Sequence, residues 1–302
     1  MNKVVIVGCG NVGMSYAYAL VTKGANIDSL VLIDINKTKA EGEALDLNHA
    51  LPFAPRSFKI KAGNYSDCNN ASLVVICAGR NQEIGESRNA LLGKNIEVFK
   101  SIINEINKTK FDGIYLVATN PLDVMTLVTQ KLSGFPHNRV LGTGTTLDTS
   151  RLRHLIAEQI DVSPKNIHAY VVGEHGDSEV VAWDCALIGM QQAKQFLTKA
   201  QMDKISEDVR LSAETVISKK GNTSYGIGMC LLKITNSIFS NENNILTISA
   251  YDKKHDIYWS RPSVVGTKGV SQTIELTLSA SAQKQLDASI KTIKELKKSF
   301  VL

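Results

Sequence analysis

The sequence predicts an α/β protein: a doubly wound parallel sheet first, then a mixed α+β half. Three observations carry that prediction. Short, nearly continuous apolar runs recur through the first half of the chain. Amphipathic stretches separate them, as crossover helices would. After about residue 145 the alternation gives way to long helical patterns and strands of antiparallel character.

The apolar runs are KVVIV (3–7), LVLID (30–34), LVVICAG (73–79) and IYLVAT (114–119), with a shorter RVLGTG at 139–144. Such runs suit strands covered on both faces. Helical segments are expected at 12–23, 37–49, 88–108 and 121–132. Right-handed crossovers then bring the strand C-termini to one edge, where ligands bind. The second half reads as a helix over 147–160, a strand HAYVVG (168–173) and helices near 201–218 and 224–240. Strands follow at 245–251, 263–266 and 272–278, then a lysine-rich helix near 282–298. The boundary is expected near residue 143, giving domains 1–143 and 144–302.

The bulk numbers exclude several classes. The chain has 302 residues, 43% hydrophobic and 21% charged, which describes an ordinary globular protein. A net charge of +5 with no lysine or arginine block argues against nucleic-acid binding. No apolar stretch approaches the ~20 residues of a membrane helix. The N-terminus lacks the apolar region of a signal peptide. The five cysteines form no CxxC pair, so buried free thiols are expected, not disulfides or a metal site. A cytoplasmic location follows as the expectation.

GCGNVG (8–13) follows the first strand and opens a helix. Gly8 permits the tight turn, Gly10 lets backbone N–H groups approach a pyrophosphate, and Gly13 lets the helix pack close to the sheet. The helix N-terminus favours the phosphate charge. Asp34 ends the second strand, 21 residues after Gly13. A carboxylate there accepts ribose hydroxyls and repels a 2′-phosphate, so NAD is expected over NADP.

Polar residues gather at the strand C-termini. Asn120 follows IYLVAT, Asp148 and Arg151 lie in TTLDTSR, His175 lies in GEHGD, and Arg88 ends AGRNQEIGESR. Reducing a 2-oxo acid needs a proton donor at the carbonyl oxygen, a role for His175. A carboxylate must orient the imidazole, as Asp148 could. A forked cation must grip the substrate carboxylate, as Arg151 could. A second cation must polarise the carbonyl, a role for Arg88 on a closing loop. Separately these residues read as a turn histidine, a helix cap and surface charges. Together, downstream of a dinucleotide turn, they read as a site.

With these motifs the chain resembles the L-lactate/malate dehydrogenase family over nearly its whole length, and the bacterial L-lactate dehydrogenases most. The stretches that carry the resemblance are GCGNVG, LVLIDIN, EGEALDLNHALPF, GNYSDCNNASLVVICAG, GESR, FDGIYLVATNPLDV, RVLGTGTTLDTSRLR, NIHAYVVGEHGD and KKGNTSYGIG. The resemblance implies a Rossmann-type NAD domain, a mixed α+β substrate domain and a homo-oligomer, usually a tetramer. It gives His175 the acid/base role with Asp148 as partner, Arg151 the substrate carboxylate and Arg88 the carbonyl. It has Asn120 contact substrate and nicotinamide. It lines the substrate pocket with Thr223 and Ala213 and packs Ile227 behind the nicotinamide. It matches Val12, Asp34, Lys39, Tyr65, Gly79 and Thr143 to cofactor contacts.

In this family one loop residue, here Gln82, selects the substrate. A neutral glutamine would leave the second carboxylate of oxaloacetate buried and unpaired, whereas the methyl of pyruvate fits. Pyruvate and L-lactate are therefore the expected substrate pair. Arg153 and His168 match positions where many bacterial members bind fructose 1,6-bisphosphate between subunits, which implies allosteric activation. Three departures bear on the pocket: Ile84 replaces a usual proline, VVAW (180–183) replaces a Leu-Pro turn, and the 189–200 connection is short. The rival readings are a malate or branched-chain 2-hydroxy-acid dehydrogenase and a non-catalytic NAD-binding sensor. A sensor would be expected to have lost some of His175, Asp148, Arg151 and Arg88.

Overall fold

The computed structural model describes residues 2–80 and 88–300; the side chains of 88–90 also lie outside the description. Gln82, Ile84 and the Arg88 side chain therefore fall outside it.

Six strands build the parallel part of the main sheet: β1 (Lys3–Val7), β2 (Ser29–Ile33), β3 (Lys59–Ala62), β4 (Leu73–Ile76), β5 (Ile114–Val117) and β6 (Val140–Gly142). Their order is β3-β2-β1-β4-β5-β6, all parallel. The order reverses between β1 and β4, the switch point where α/β sheets bind ligands. The helices are α1 (Asn11–Thr22), α2 (Lys37–Ala50), α3 (Arg88–Asn107) and α4 (Leu122–Ser133). The expected doubly wound, Rossmann-type sheet is present.

Alternate strand residues serve opposite faces, which is why the runs are apolar throughout. Val5, Val7, Val74 and Ile76 pack with residues of α3 and α4. Val4, Ile6, Leu73 and Val75 pack on the other face, with α1 and α2.

The second half contains α5 (Thr146–Ile160), the short strands β7 (Ile167–His168), β8 (Val171–Val172), β9 (Val180–Val181), β10 (Leu187–Ile188) and β11 (Gln191–Gln192), then α6 (Lys199–Lys220), α7 (Tyr225–Phe239), β12 (Asn244–Asp252), β13 (Ile257–Gly266), β14 (Gly269–Thr273) and α8 (Ala280–Lys298). β12 meets β6 antiparallel, so β12–β14 extend the first-half sheet to nine strands. A third core cluster joins α5, α6 and the short strands.

Several elements differ from the sequence expectation. The strand expected at 168–173 is two short strands in different sheets: β7 pairs β10, and β8 pairs β9. The chain changes sheet at Ala169–Tyr170, a switch that an unbroken apolar run does not signal. β13 starts six residues before its expected start, because Pro262 sits inside it. Proline lacks an N–H but its carbonyl still accepts the Ile274 N–H at 2.8 Å. Residues 274–278, expected to continue the last strand, carry no strand. β3 was not expected: KIKA holds one buried apolar residue between exposed lysines, a typical protected edge. All five cysteines are free, with Cys9, Cys68 and Cys230 buried and Cys77 and Cys185 partly so. Among the described residues no helix is long and apolar enough to cross a membrane.

Candidate active site

The glycine turn joins β1 to α1 at the switch point. Gly8 has φ +104°, and a Cβ there would meet the Ala78 nitrogen at 2.5 Å. A Cβ on Gly13 would collide with the Gly8 carbonyl oxygen. Only glycine fits either position. Gly10 caps α1 without a side-chain bond, and a Cβ there would meet nothing within 4 Å. No side chain caps the first turn of α1, and that turn holds no acidic residue. Asp34 stands beside them: Oδ2 accepts the Cys9 N–H at 2.7 Å and Oδ1 accepts the Asn36 N–H at 2.9 Å. A carboxylate with lone pairs to spare beside a bare helix N-terminus suits a ribose diphosphate.

The His175 segment is held from four sides. Gly173 and Ser260 on β13 exchange backbone bonds of 2.9 Å each. Ser289 Oγ on α8 accepts the Glu174 N–H at 2.8 Å. Asp123 Oδ2 on α4 accepts the His175 N–H at 2.9 Å. Asp148 Oδ2 on α5 lies 2.7 Å from His175 Nδ1. With Nδ1 engaged, Nε2 is the ring nitrogen left for a ligand.

Asp148 is buried in the first turn of α5, where the helix dipole favours its charge. Its other oxygen accepts a bond from Arg151 Nη1 at 2.7 Å. Burial opposes the Asp148 charge, but His175 and Arg151 outweigh it and hold the carboxyl below its ordinary range. Burial likewise opposes an imidazolium, yet the Asp148 charge and hydrogen bond raise His175 to about 9.

The other expected residues fall into three groups. Thr143 is buried at the end of β6, bonded through its N–H to Val117 O at 2.9 Å. Gly79 follows β4, so close to Thr119 that a Cβ would meet its methyl at 2.5 Å. Asn120 lies beyond β5, is joined to Pro121 by a cis bond and is exposed. These sit with the glycine turn at the strand C-termini. Val12 and Tyr65 are partly buried and Lys39 is exposed on α2. Ala213 on α6, Thr223 before α7 and Ile227 on α7 are partly buried. Arg153 and His168 lie apart from the turn: Arg153 Nε donates to Ala169 O at 3.2 Å, its guanidinium lies 5.6 Å from the Tyr170 ring centre, and His168 is exposed one residue before Ala169.

Sequence reasoning missed three residues. Asn95, fully buried in α3, donates to Asn120 O and accepts the Arg80 N–H, both at 2.8 Å, tying the loops after β4 and β5 together. Asp123 anchors the His175 backbone. Glu179 stands beside the imidazole. Asp123 had a signal, a charge in the first turn of α4 flanked by Leu122, Val124 and Met125; Asn95 and Glu179 look like surface residues in the sequence.

A dinucleotide-type glycine turn and a histidine oriented by a buried carboxylate are the two parts a dehydrogenase needs. Residues 2–142 match the family model of the lactate/malate dehydrogenase NAD-binding domain, and residues 145–301 match that of its α/β C-terminal domain. L-lactate dehydrogenase 2 of Bacillus cereus is 47% identical over 305 residues, covering 98% of this chain and 97% of its own. L-lactate dehydrogenase of a Geobacillus species is 46% identical, with 98% and 96% covered. Among solved structures, a lactate dehydrogenase from a deep-sea metagenome library matches with TM-score 0.96 at 45% identity, covering 99% and 98% of the two chains. The minor L-lactate dehydrogenase of Enterococcus mundtii matches with TM-score 0.97 at 38% identity, covering 100% and 99%. The chain belongs to the lactate/malate dehydrogenase family. It is an oxidoreductase, and its cofactor is NAD.

Proposed function

We propose that the protein is an L-lactate dehydrogenase that interconverts pyruvate and L-lactate in the cytoplasm. Residues 1–143 hold the cofactor and residues 144–302 supply most of the substrate site. The observation that carries the reading is the Arg151–Asp148–His175 chain, with both links at 2.7 Å.

Gly8, Gly10, Val12 and Gly13 would hold NAD, with Asp34 accepting the ribose hydroxyls and Lys39, Tyr65, Gly79, Asn120 and Thr143 supplying further contacts. When bound, NADH supplies the hydride for the carbonyl carbon. The chain does the rest. Arg151 grips the pyruvate carboxylate with the N–H groups that Asp148 leaves free. Asn120 and Thr223 border the substrate. His175 donates the Nε2 proton to the carbonyl oxygen, and Asp148 stabilises the imidazolium before the transfer. Arg88 polarises the carbonyl and Gln82 selects a methyl over a carboxylate. The names of the relatives support lactate over malate.

Comparing kcat/KM for pyruvate, oxaloacetate and 2-oxoisocaproate tests the reading. Pyruvate should lead, and a lead for oxaloacetate overturns it. His175→Asn should abolish the NADH-dependent rate.

Assembly and regulation belong to the same proposal. Tyr18, Leu45, Phe53, Tyr225 and Met229 leave large apolar side chains exposed on α1, α2, the turn after it and α7. That surface supports a homo-oligomer, with a tetramer as the expected mass in solution. Arg153 beside the exposed His168 supports a fructose 1,6-bisphosphate site. The bisphosphate should lower the half-saturating pyruvate concentration, and Arg153→Gln should remove that effect.

A further inference from the structure

Glu179 lies four residues beyond His175, in a turn closed by its own N–H bonding to Gly176 O at 3.1 Å. A Glu179 carboxyl oxygen, an Asp148 oxygen and a His175 ring nitrogen all lie within 4.8 Å of one another. Glu179 Oε1 is buried, and among the described residues it has no hydrogen-bond partner. A buried carboxyl oxygen left unpaired is costly, so packing alone gives it no reason to be there. Glu179 also lines a separate cleft of about 480 Å³ with Trp183, Ser206, Arg210 and Ser281, and neither Asp148 nor His175 reaches its lining. The residue thus touches the acid/base pair and a second opening.

The surrounding charges decide its state. Burial and then the negative Asp148 raise Glu179 to about 8, while His175, Arg151 on α5 and Arg210 on α6 pull it down. Asp184, Lys199, Asp203 and Glu207 ring the outer cleft. Burial and the Asp148 charge thus favour the protonated carboxyl, next to the imidazole that must be recharged after each reduction.

We propose that Glu179 shares the active-site proton with His175 and connects it to solvent through the cleft. The proposal rests on His175 and Asp148 being the acid/base pair. Once His175 has given its proton to the substrate oxygen, the Glu179 O–H bond breaks and a His175 N–H bond forms, directly or across one water. The Glu179 carboxylate takes its next proton from a hydronium or buffer acid in the cleft. Ionised, it stabilises the imidazolium.

NMR titration of the His175 imidazole in the full-length protein, wild type against Glu179→Gln, tests this. The resonance is assigned by its loss in His175→Asn. Removing the ionisable carboxyl should lower the His175 midpoint by about one pH unit, a tenfold change in its acid constant. The alkaline limb of kcat/KM for pyruvate should move to lower pH with it, a shift that a purely structural role would not produce. Superimposable titrations overturn the proposal. If the variant does not fold, carboxyl titration of the wild type decides: a glutamate titrating above about pH 7 supports it, and all glutamates near their ordinary range of about 4 overturn it. The dehydrogenase reading fails separately, if wild type and His175→Asn reduce pyruvate equally.

Discussion

The Asp123 carboxylate fixes the His175 backbone: Oδ2 accepts the His175 N–H at 2.9 Å, while Oδ1 accepts Ser249 Oγ–H at 2.5 Å. Asp123 is buried on α4, next to the cis Asn120–Pro121 bond that ends the β5 loop. One carboxylate therefore ties the start of α4, just after the β5 loop, to the segment that carries His175.

Asp123→Ala should strand the His175 N–H and the Ser249 hydroxyl, costing about 1–3 kcal/mol of stability and lowering kcat. Asp123→Asn should lose far less, because its Oδ1 can accept the His175 N–H and its Nδ2 can donate to Ser249 Oγ. Burial raises Asp123 from 3.8 to about 6 against the pull of Ser249 and His175. A raised folded pKa contributes stability below 3.8 that is lost as pH rises through 6. Denaturant melts should therefore favour wild type over Asp123→Asn more at pH 4 than at pH 7. A constant difference across that range would sink the assignment.

Asp148→Asn should be the more damaging change for catalysis. An asparagine can hold the imidazole in the wrong tautomer, a fault worth on the order of 10³–10⁴ in kcat in comparable constellations. It also removes the charge that raises His175 from 6.5 to about 9 against burial. The stability from protonated His175 is full below 6.5 and is lost as pH rises through 9. Wild type should thus lose stability over that window, and Asp148→Asn should lose little there. Melting curves across pH read both, and parallel curves would refute the pairing.

The fold was legible where one period governs. β1, β2, β4 and β5 are apolar on both faces, so each run announces itself. β3 was hidden because an edge strand needs only Ile60 buried. β7 and β8 merged in the sequence because pairing partners, not local pattern, separate them. The His175–Asp148 pair was legible because GEHGD and LDTSR each carry their polar residues in turns or helix starts. Glu179 was not, since a glutamate after a turn reads as solvated until the fold places Asp148 opposite it.

Asp34 should control cofactor choice. Its carboxylate already receives the Cys9 and Asn36 N–H groups, so it is rigidly aimed when a ribose arrives. Asp34→Ser keeps an acceptor but removes the charge that repels a 2′-phosphate. The ratio of kcat/KM for NADH over NADPH should fall at least tenfold, chiefly through a lower KM for NADPH. An unchanged ratio would remove Asp34 from the ribose site.

Arg151→Lys tests the substrate anchor. Arg151 spends one N–H on Asp148 Oδ1 at 2.7 Å, and its side chain is 16% exposed. A guanidinium can hold that bond and still present two parallel donors to a carboxylate. An ammonium is a point charge that can serve Asp148 or the substrate, but cannot present the fork. Losing one charge-assisted bond costs about 1.5–3 kcal/mol, so kcat/KM for pyruvate should fall on the order of 10- to 100-fold. Most of the loss should appear in KM, because the carboxylate is gripped before and during the reaction alike. NADH binding, measured by fluorescence, should not change, since Arg151 belongs to α5 and the glycine turn to α1. If NADH affinity falls with pyruvate KM intact, Arg151 supports the fold around Asp148 and the substrate carboxylate must be held elsewhere.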